Sequence, residues 1–174
     1  YESANLMMAV GKPEMAIGCY KKILLDFESK EMYNNLGTAY TLLGLQLKDK
    51  YESSFIFPLE VDMSSLIVQN PRGLGKAEKT ARNLIFSNAR ANYLSALRID
   101  PWYKSALLNQ LCLLSARVEG GISFDLNESA NVNYLKESKI RFPDESTLLE
   151  GIRSAYNGQP QKAKSKFQAH QTKG

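Results

Sequence analysis

The sequence has few of the residues that build catalytic centres, metal sites and disulfide frameworks. It contains a single histidine, His170, and two widely separated cysteines, Cys19 and Cys112, with no CxxC pair. No nucleophile has a base nearby and no cluster of metal ligands is readable, so we predict neither an enzyme nor a cofactor or metal site. No apolar run reaches the roughly 18 residues of a transmembrane helix, so we expect no membrane span. A net charge of +4 gives no general signal for nucleic acid.

What the chain does contain is a repeated pairing of a small residue with an aromatic residue four positions later. The pairing occurs as Ala16 and Tyr20, Ala89 and Tyr93, Ala130 and Tyr134, and Ala163 and Phe167. Residues four apart share one helical face, so the small residue admits a neighbouring helix and the ring fills the adjacent space. Gly11 and Gly158 are each followed two residues later by proline, which is typical of one helix ending before another begins. The sequence therefore predicts an all-α fold of paired helices.

A complementary stripe lies in YNNLGTAYTLLG, where Tyr33, Leu36, Gly37 and Tyr40 occupy relative positions 1, 4, 5 and 8. Followed later by Ala89, Tyr93, Ala96 and Pro101, this stripe resembles the tetratricopeptide repeat, a helix-turn-helix unit of about 34 residues. The resemblance implies a right-handed superhelical stack of antiparallel helix pairs. We count about four repeats in a single domain, at about 1–29, 30–101, 102–143 and 144–172.

The second repeat is longer than the family pattern. Ala16 and Ala89 are 73 residues apart, so we place an insertion at 45–78. Its middle, FIFPLEVDMSSLIV, is too apolar for a solvated linker, and the alternatives are a flap packed on the stack or a lid or partner contact over the groove. The residues after Asn70 predict a lengthened second helix with an apolar stripe beginning at Ala77. Because the sequence does not begin with methionine, we interpret it as a fragment of a longer protein.

In such stacks the first helix of each pair lines a concave groove. The side chains expected there, clear of packing and open to a partner, are Asn5, Glu31, Asn34, Asn35, Thr38, Thr41, Ser105, Leu108, Asn109 and Cys112. One subclass of the family holds a C-terminal carboxylate with two asparagines, lysines and an arginine. Asn5 and Asn35 occupy the asparagine places, but Tyr1, Ser105 and Asn109 stand where the charged residues should be. We therefore predict a polar, uncharged groove suited to an extended peptide or an inserted helix, and expect alanine at Asn35 or Asn109 to leave folding intact.

These features predict a protein–protein interaction scaffold that holds a peptide or protein segment in its groove. The alternative is a non-catalytic accessory module of a larger enzyme, such as a bacterial hydrolase, which would dock a substrate or orient a catalytic domain. RNA binding is disfavoured because the basic residues, densest from Arg72 to Arg98, do not line the predicted inner helices. The GLGK segment at Gly73–Lys76 lacks the spacing and the preceding strand of a phosphate-binding loop.

Overall fold

Glycine, proline and one capping serine determine where the helices begin and end. The computed structural model describes residues 1–47, 74–115, 136–156 and 159–171, and every regular element in these ranges is an α-helix. The helices are α1 (Glu2–Ala9), α2 (Pro13–Ile23), α3 (Lys30–Gln46), α4 (Lys76–Ile99), α5 (Lys104–Ser115), α6 (136–141), α7 (Pro143–Tyr156) and α8 (Pro160–Gln171). The predicted all-α class is confirmed.

The helix ends follow local chemistry. Gly11 has a φ of 71°, a left-handed conformation that glycine adopts without strain, and this turns the chain from α1 into α2. Proline is the first residue of α2, α7 and α8, where its missing N–H removes no helical hydrogen bond. Ser29 precedes α3 in an extended conformation, and its Oγ accepts a hydrogen bond of 3.2 Å from the main-chain nitrogen of Met32.

The lengthened helix of the second predicted repeat is confirmed. It is α4, which has 24 residues and begins at Lys76. Its first turn is closed by the carboxylate of Glu78, which accepts a hydrogen bond of 2.9 Å from the main-chain nitrogen of Gly75. Most of the predicted insertion, 48–73, lies outside the described residues, as do Ala130 and Tyr134.

The α3–α4 and α7–α8 pairs each pack side by side with their two helices antiparallel. Gly37 of α3 lies against Tyr93 of α4, and Gly44 lies against Phe86, so residue numbers rise along one helix as they fall along the other. The α7–α8 pair shows the same order, because Gly151 lies against Phe167 while the more N-terminal part of α7 contacts the end of α8. Contacts between α2 and α3, between α4 and α5, and between α5 and α7 join one pair to the next.

The small and aromatic residues that carry the sequence pattern form the core. Ala16 and Ala89 are 0% exposed, and Tyr20 and Tyr93 are 1% and 0% exposed. Each buried ring stabilises the fold by roughly 2 kcal/mol or more. The close helix approach predicted at Gly37 is confirmed, since a Cβ added there would lie 2.6 Å from the ring of Tyr93.

Candidate functional site

The first helices of the predicted repeats, α1, α3 and α5, lie next to one another and run in the same direction. At one end of α1 and α3, the side-chain amide of Asn35 donates to the hydroxyl of Tyr1 over 3.1 Å. At the other end, Nε2 of Gln46 donates to the carbonyl of Gly11 over 3.2 Å. On the other flank of α3, Asn109 of α5 donates hydrogen bonds to α3 side chains. Hydrogen bonds between polar side chains thereby join these three helices side by side.

Four asparagines on these helices form a chain of hydrogen bonds that we call the amide ladder, defined as Asn5, Asn35, Asn34 and Asn109. Nδ2 of Asn109 donates to Oδ1 of Asn34 over 3.2 Å, and Nδ2 of Asn34 donates to Oδ1 of Asn35 over 3.2 Å. Nδ2 of Asn35 then donates to Oδ1 of Asn5 over 3.3 Å. All three bonds point the same way, so each polarises the next, and together they link α5, α3 and α1.

Buried hydroxyl groups brace the ladder from the second helices. Tyr20 of α2 donates its hydroxyl hydrogen to Oδ1 of Asn5, and burial raises the pKa of this phenol to about 12. The hydroxyl oxygen of Tyr93, on α4, lies 2.9 Å from Oγ1 of Thr41, and this hydroxyl donates a hydrogen bond to Oγ1 of Thr38 over 3.4 Å. A tyrosine hydroxyl inside a core needs a polar partner, and these two rings take theirs from the polar stripe of the first helices.

The structure divides the predicted groove residues into two groups. Four of them are buried: Asn34, Thr38, Thr41 and Asn109, with exposed fractions of 6%, 4%, 1% and 5%. The expectation that these four side chains stand clear of packing is wrong, because they point between helices and hydrogen bond there. Five others are half-buried and reach the surface: Asn5, Glu31, Asn35, Ser105 and Leu108. The side chain of Cys112 lies outside the described residues.

The burial of Asn109 also changes the expected effect of replacing it. Its amide group holds both Asn34 and Thr38, the latter over 3.4 Å, and both acceptors are themselves buried. Truncation to alanine would leave polar atoms without partners inside the protein, and that destabilises a fold. Asn109 is therefore a structural residue in this arrangement, whereas Asn35, at the surface, stays a candidate for partner contact.

A lysine–ring contact that sequence reasoning missed recurs at two junctions between helix pairs. Nζ of Lys30, at the start of α3, lies 5.0 Å from the ring centroid of Tyr103, which directly precedes α5. Nζ of Lys104, at the start of α5, lies 5.7 Å from the ring centroid of Phe142, which directly precedes α7. The same relation thus connects α3 to α5 and α5 to α7. In the sequence, this contact could have been recognised only from a lysine as the first residue of one helix and an aromatic residue directly before the helix that follows in the next pair.

These two lysines are also held by carboxylates. Nζ of Lys30 lies 2.6 Å from Oδ2 of Asp100, and its hydrogen bond lowers the pKa of that carboxyl below the usual value. Lys104 pairs with Glu145 in the same manner, and the hydrogen bond from Lys104 lowers the pKa of Glu145. The positive charges that begin α3 and α5 are therefore matched within the protein. Neither lysine is therefore an unmatched cation.

Groups with catalytic or metal-binding chemistry are sparse in the described ranges. Nδ1 of His170 donates to the main-chain carbonyl of Asp144 over 3.1 Å, which ties the end of α8 to the start of α7. Among residues 1–47, 74–115, 136–156 and 159–171, no three histidine, cysteine or acidic side chains come close enough to hold a metal ion. In those same ranges, no helix has both the length and the apolar character to cross a bilayer.

Comparison with known proteins adds no relative. No protein-family model matches this chain, and no curated protein or solved structure matches it significantly. The resemblance to the tetratricopeptide repeat therefore depends on the residues of this chain alone.

Proposed function

We propose that this chain is a protein–protein interaction scaffold in which a tetratricopeptide-like stack of helix pairs binds an extended peptide segment. The peptide would lie along α1, α3 and α5, beside the amide ladder. Three features favour such a stack: antiparallel packing within pairs, parallel first helices, and a lysine–ring contact that recurs from one pair to the next. In a stack of this kind the first helices line a continuous surface that a partner can follow.

The observation that carries the proposal is the hydrogen bonding of the Asn5 side-chain amide, at the exposed end of the ladder. Its Oδ1 accepts two hydrogen bonds, from Tyr20 and Asn35, and this fixes the orientation of the side chain. Within the described residues its Nδ2 group makes no hydrogen bond, and the residue is half-buried. Two N–H donors are thus held in a set direction at the surface. The natural complement of such donors is a carbonyl oxygen.

The polarity around Asn5 favours a peptide main chain over a charged ligand. Tyr1 is 50% exposed, and its hydroxyl accepts from Asn35 while keeping its own hydrogen to donate. A terminal carboxylate would need an unmatched cation to offset its desolvation, and Lys30 is already paired with Asp100. Neutral donors in fixed positions suit the alternating carbonyl and N–H groups of an extended segment.

An isosteric substitution tests the proposal without breaking the ladder. Asn5→Asp keeps an oxygen to accept from Tyr20 and Asn35, but replaces the outward N–H donors with a second, negatively charged acceptor. Peptides would first be selected from a displayed random library on the wild-type chain, and their affinities measured by fluorescence anisotropy. We expect Asn5→Asp to weaken binding at least about tenfold with an unchanged melting temperature.

A matched variant controls for the added charge. Asn88→Asp places the same negative charge at a half-buried position on α4, and we expect it to bind the selected peptides as the wild type does. Equal losses in both variants would indicate a general charge effect. Unchanged binding by Asn5→Asp would move the site away from the amide ladder, and failure to select any peptide would contradict the scaffold function itself.

A further inference from the structure

One glycine in the middle of a helix differs from the others. Gly37, Gly44 and Gly151 each receive an aromatic ring from the neighbouring helix, so a side chain there would collide with it. Gly18 lies in the middle of α2 and is exposed, and a Cβ added to it would have nothing within 4 Å. An interior glycine weakens a helix relative to alanine, and at Gly18 no contact within the described chain compensates for this.

Large apolar side chains surround this glycine at the surface. Met15 of α2, three residues before Gly18, is 53% exposed, and Leu25, in the turn two residues beyond the end of α2, is 84% exposed. In the turn that leads into α2, Val10 is 54% exposed. The first helix pair therefore has several large apolar side chains exposed on the part of its surface around α2.

Opposite charges lie at equal distances on either side of Gly18. Glu14 precedes it by four residues and Lys22 follows it by four, so all three lie close to one face of α2. Both charged side chains are exposed, and neither forms an ion pair with another described residue. Along this stripe of α2 the order is therefore an acidic side chain at Glu14, no side chain at Gly18 and a basic side chain at Lys22.

We propose that this surface, which we call the α2 face and define as Glu14, Met15, Gly18, Lys22 and Leu25, binds the same face of a second copy of the chain. The two α2 helices would cross antiparallel at Gly18, where the absence of side chains lets the backbones approach closely. A two-fold axis at that point places Glu14 of each copy opposite Lys22 of the other.

The arrangement of Glu14 and Lys22 on the α2 face favours a second copy of the chain as its binding partner. Under two-fold symmetry, a face that is acidic at one end and basic at the other matches itself, and both ion pairs form at once. Leu25 of each copy would then approach the turn before α2 in the other, where Val10 is exposed. Exposed apolar side chains on both sides would thus be covered by the same event.

The first test uses the open space at Gly18 and measures association by sedimentation velocity on the chain of residues 1–174. We expect the wild-type chain to dimerise in the micromolar range, and Gly18→Gln to weaken dimerisation at least about tenfold. Because glutamine is a good helix former with room at this site, the monomer should melt about 2–4 °C higher. A variant that dimerises more weakly but melts at a higher temperature has not lost dimerisation through misfolding. A wild-type chain that stays monomeric up to near-millimolar concentration would overturn the proposal.

The second test reverses the charges. Glu14→Lys and Lys22→Glu should each weaken dimerisation about tenfold, and the double variant should restore it because both pairs are re-formed with exchanged signs. Lys162→Glu on α8, an exposed charge reversal outside the α2 face, should leave association unchanged. A double variant as weak as either single one would show that these side chains do not meet, and that another partner or only solvent covers the face.

Discussion

Replacing Gly37 with alanine tests the packing on which the whole arrangement depends. The added Cβ would lie 2.6 and 2.7 Å from two ring carbons of Tyr93 and 3.2 Å from the carbonyl oxygen of Ala89. The ring is 0% exposed and its hydroxyl lies 2.9 Å from Thr41, so it has no space into which to turn. Overpacking of this kind destabilises by about 3 kcal/mol, while the gain in helix propensity returns about 1 kcal/mol. We therefore expect a net loss of about 2 kcal/mol.

The chain supplies a matched control for this substitution. Gly18→Ala makes the same chemical change inside a helix, but with nothing within 4 Å of the new methyl group. Only the propensity effect remains there, so Gly18→Ala should stabilise the monomer by about 0.5–1 kcal/mol. Both free energies of unfolding would be measured by urea titration with far-UV circular dichroism, at a concentration low enough to avoid self-association.

Whether Gly37→Ala lowers or raises the free energy of unfolding tests the α3–α4 packing directly. If Gly37→Ala is as stable as the wild type or more stable, then the Tyr93 ring does not occupy the space above residue 37 and the α3–α4 packing is wrong. If Gly37→Ala and Gly18→Ala both destabilise by similar amounts, the loss does not come from the ring contact. Gly37→Leu should be worse than alanine by several kcal/mol, because three further carbons enter the same space.

Substitutions at three further residues test individual hydrogen bonds and ion pairs. Ser29→Ala removes the cap of α3 and should lower the free energy of unfolding by about 1 kcal/mol, while Ser29→Asp, which can accept the same hydrogen bond, should largely retain it. Asn109→Ala leaves the buried Oδ1 of Asn34 without its donor and should destabilise by about 1–3 kcal/mol in urea titration; a neutral result would contradict the amide ladder. Glu150 lies 2.5 Å from Lys139 and 2.6 Å from Lys166, and their hydrogen bonds lower its pKa below 4.5. The ionised Glu150 carboxylate therefore stabilises the fold fully at pH values above 4.5, its unfolded-state pKa, and this stabilisation is lost as pH falls through the lower folded-state pKa. The melting temperature of Glu150→Gln should accordingly fall less on acidification than that of the wild type.

Helix class and core packing could be predicted because they depend on short-range periodicity. A small residue and a ring four positions apart share one helical face whatever the rest of the chain does, so Ala89 and Tyr93 were correctly placed in the core. Proline and glycine likewise mark helix ends through their own backbone preferences. The lengthened helix after Asn70 was predicted from the apolar stripe that begins at Ala77, and α4 indeed begins at Lys76.

The division between buried and exposed polar residues could not be predicted in this way. Asn34 and Asn35 are adjacent in sequence and chemically identical, yet the first lies between α3 and α5 while the second turns toward α1. The crossing of three helices decides which of the two is buried, and periodicity along one helix does not contain that information. The pairing of Lys30 with Asp100 spans 70 residues and has no local signal either.

The amide ladder explains why a polar stripe is compatible with a packed core. An apolar stripe of the same volume could stabilise these helices equally well, but it would tolerate sliding of one helix along the next. Hydrogen bonds from Asn109 to Asn34 and from Asn35 to Asn5 form at one register only, and any shift leaves buried amides unpaired. The register in turn fixes the direction of the Nδ2 group of Asn5. A donor already held in place loses little conformational entropy on binding, so under the proposed scaffold function the contacts that align the helices also orient the donor that the peptide would meet.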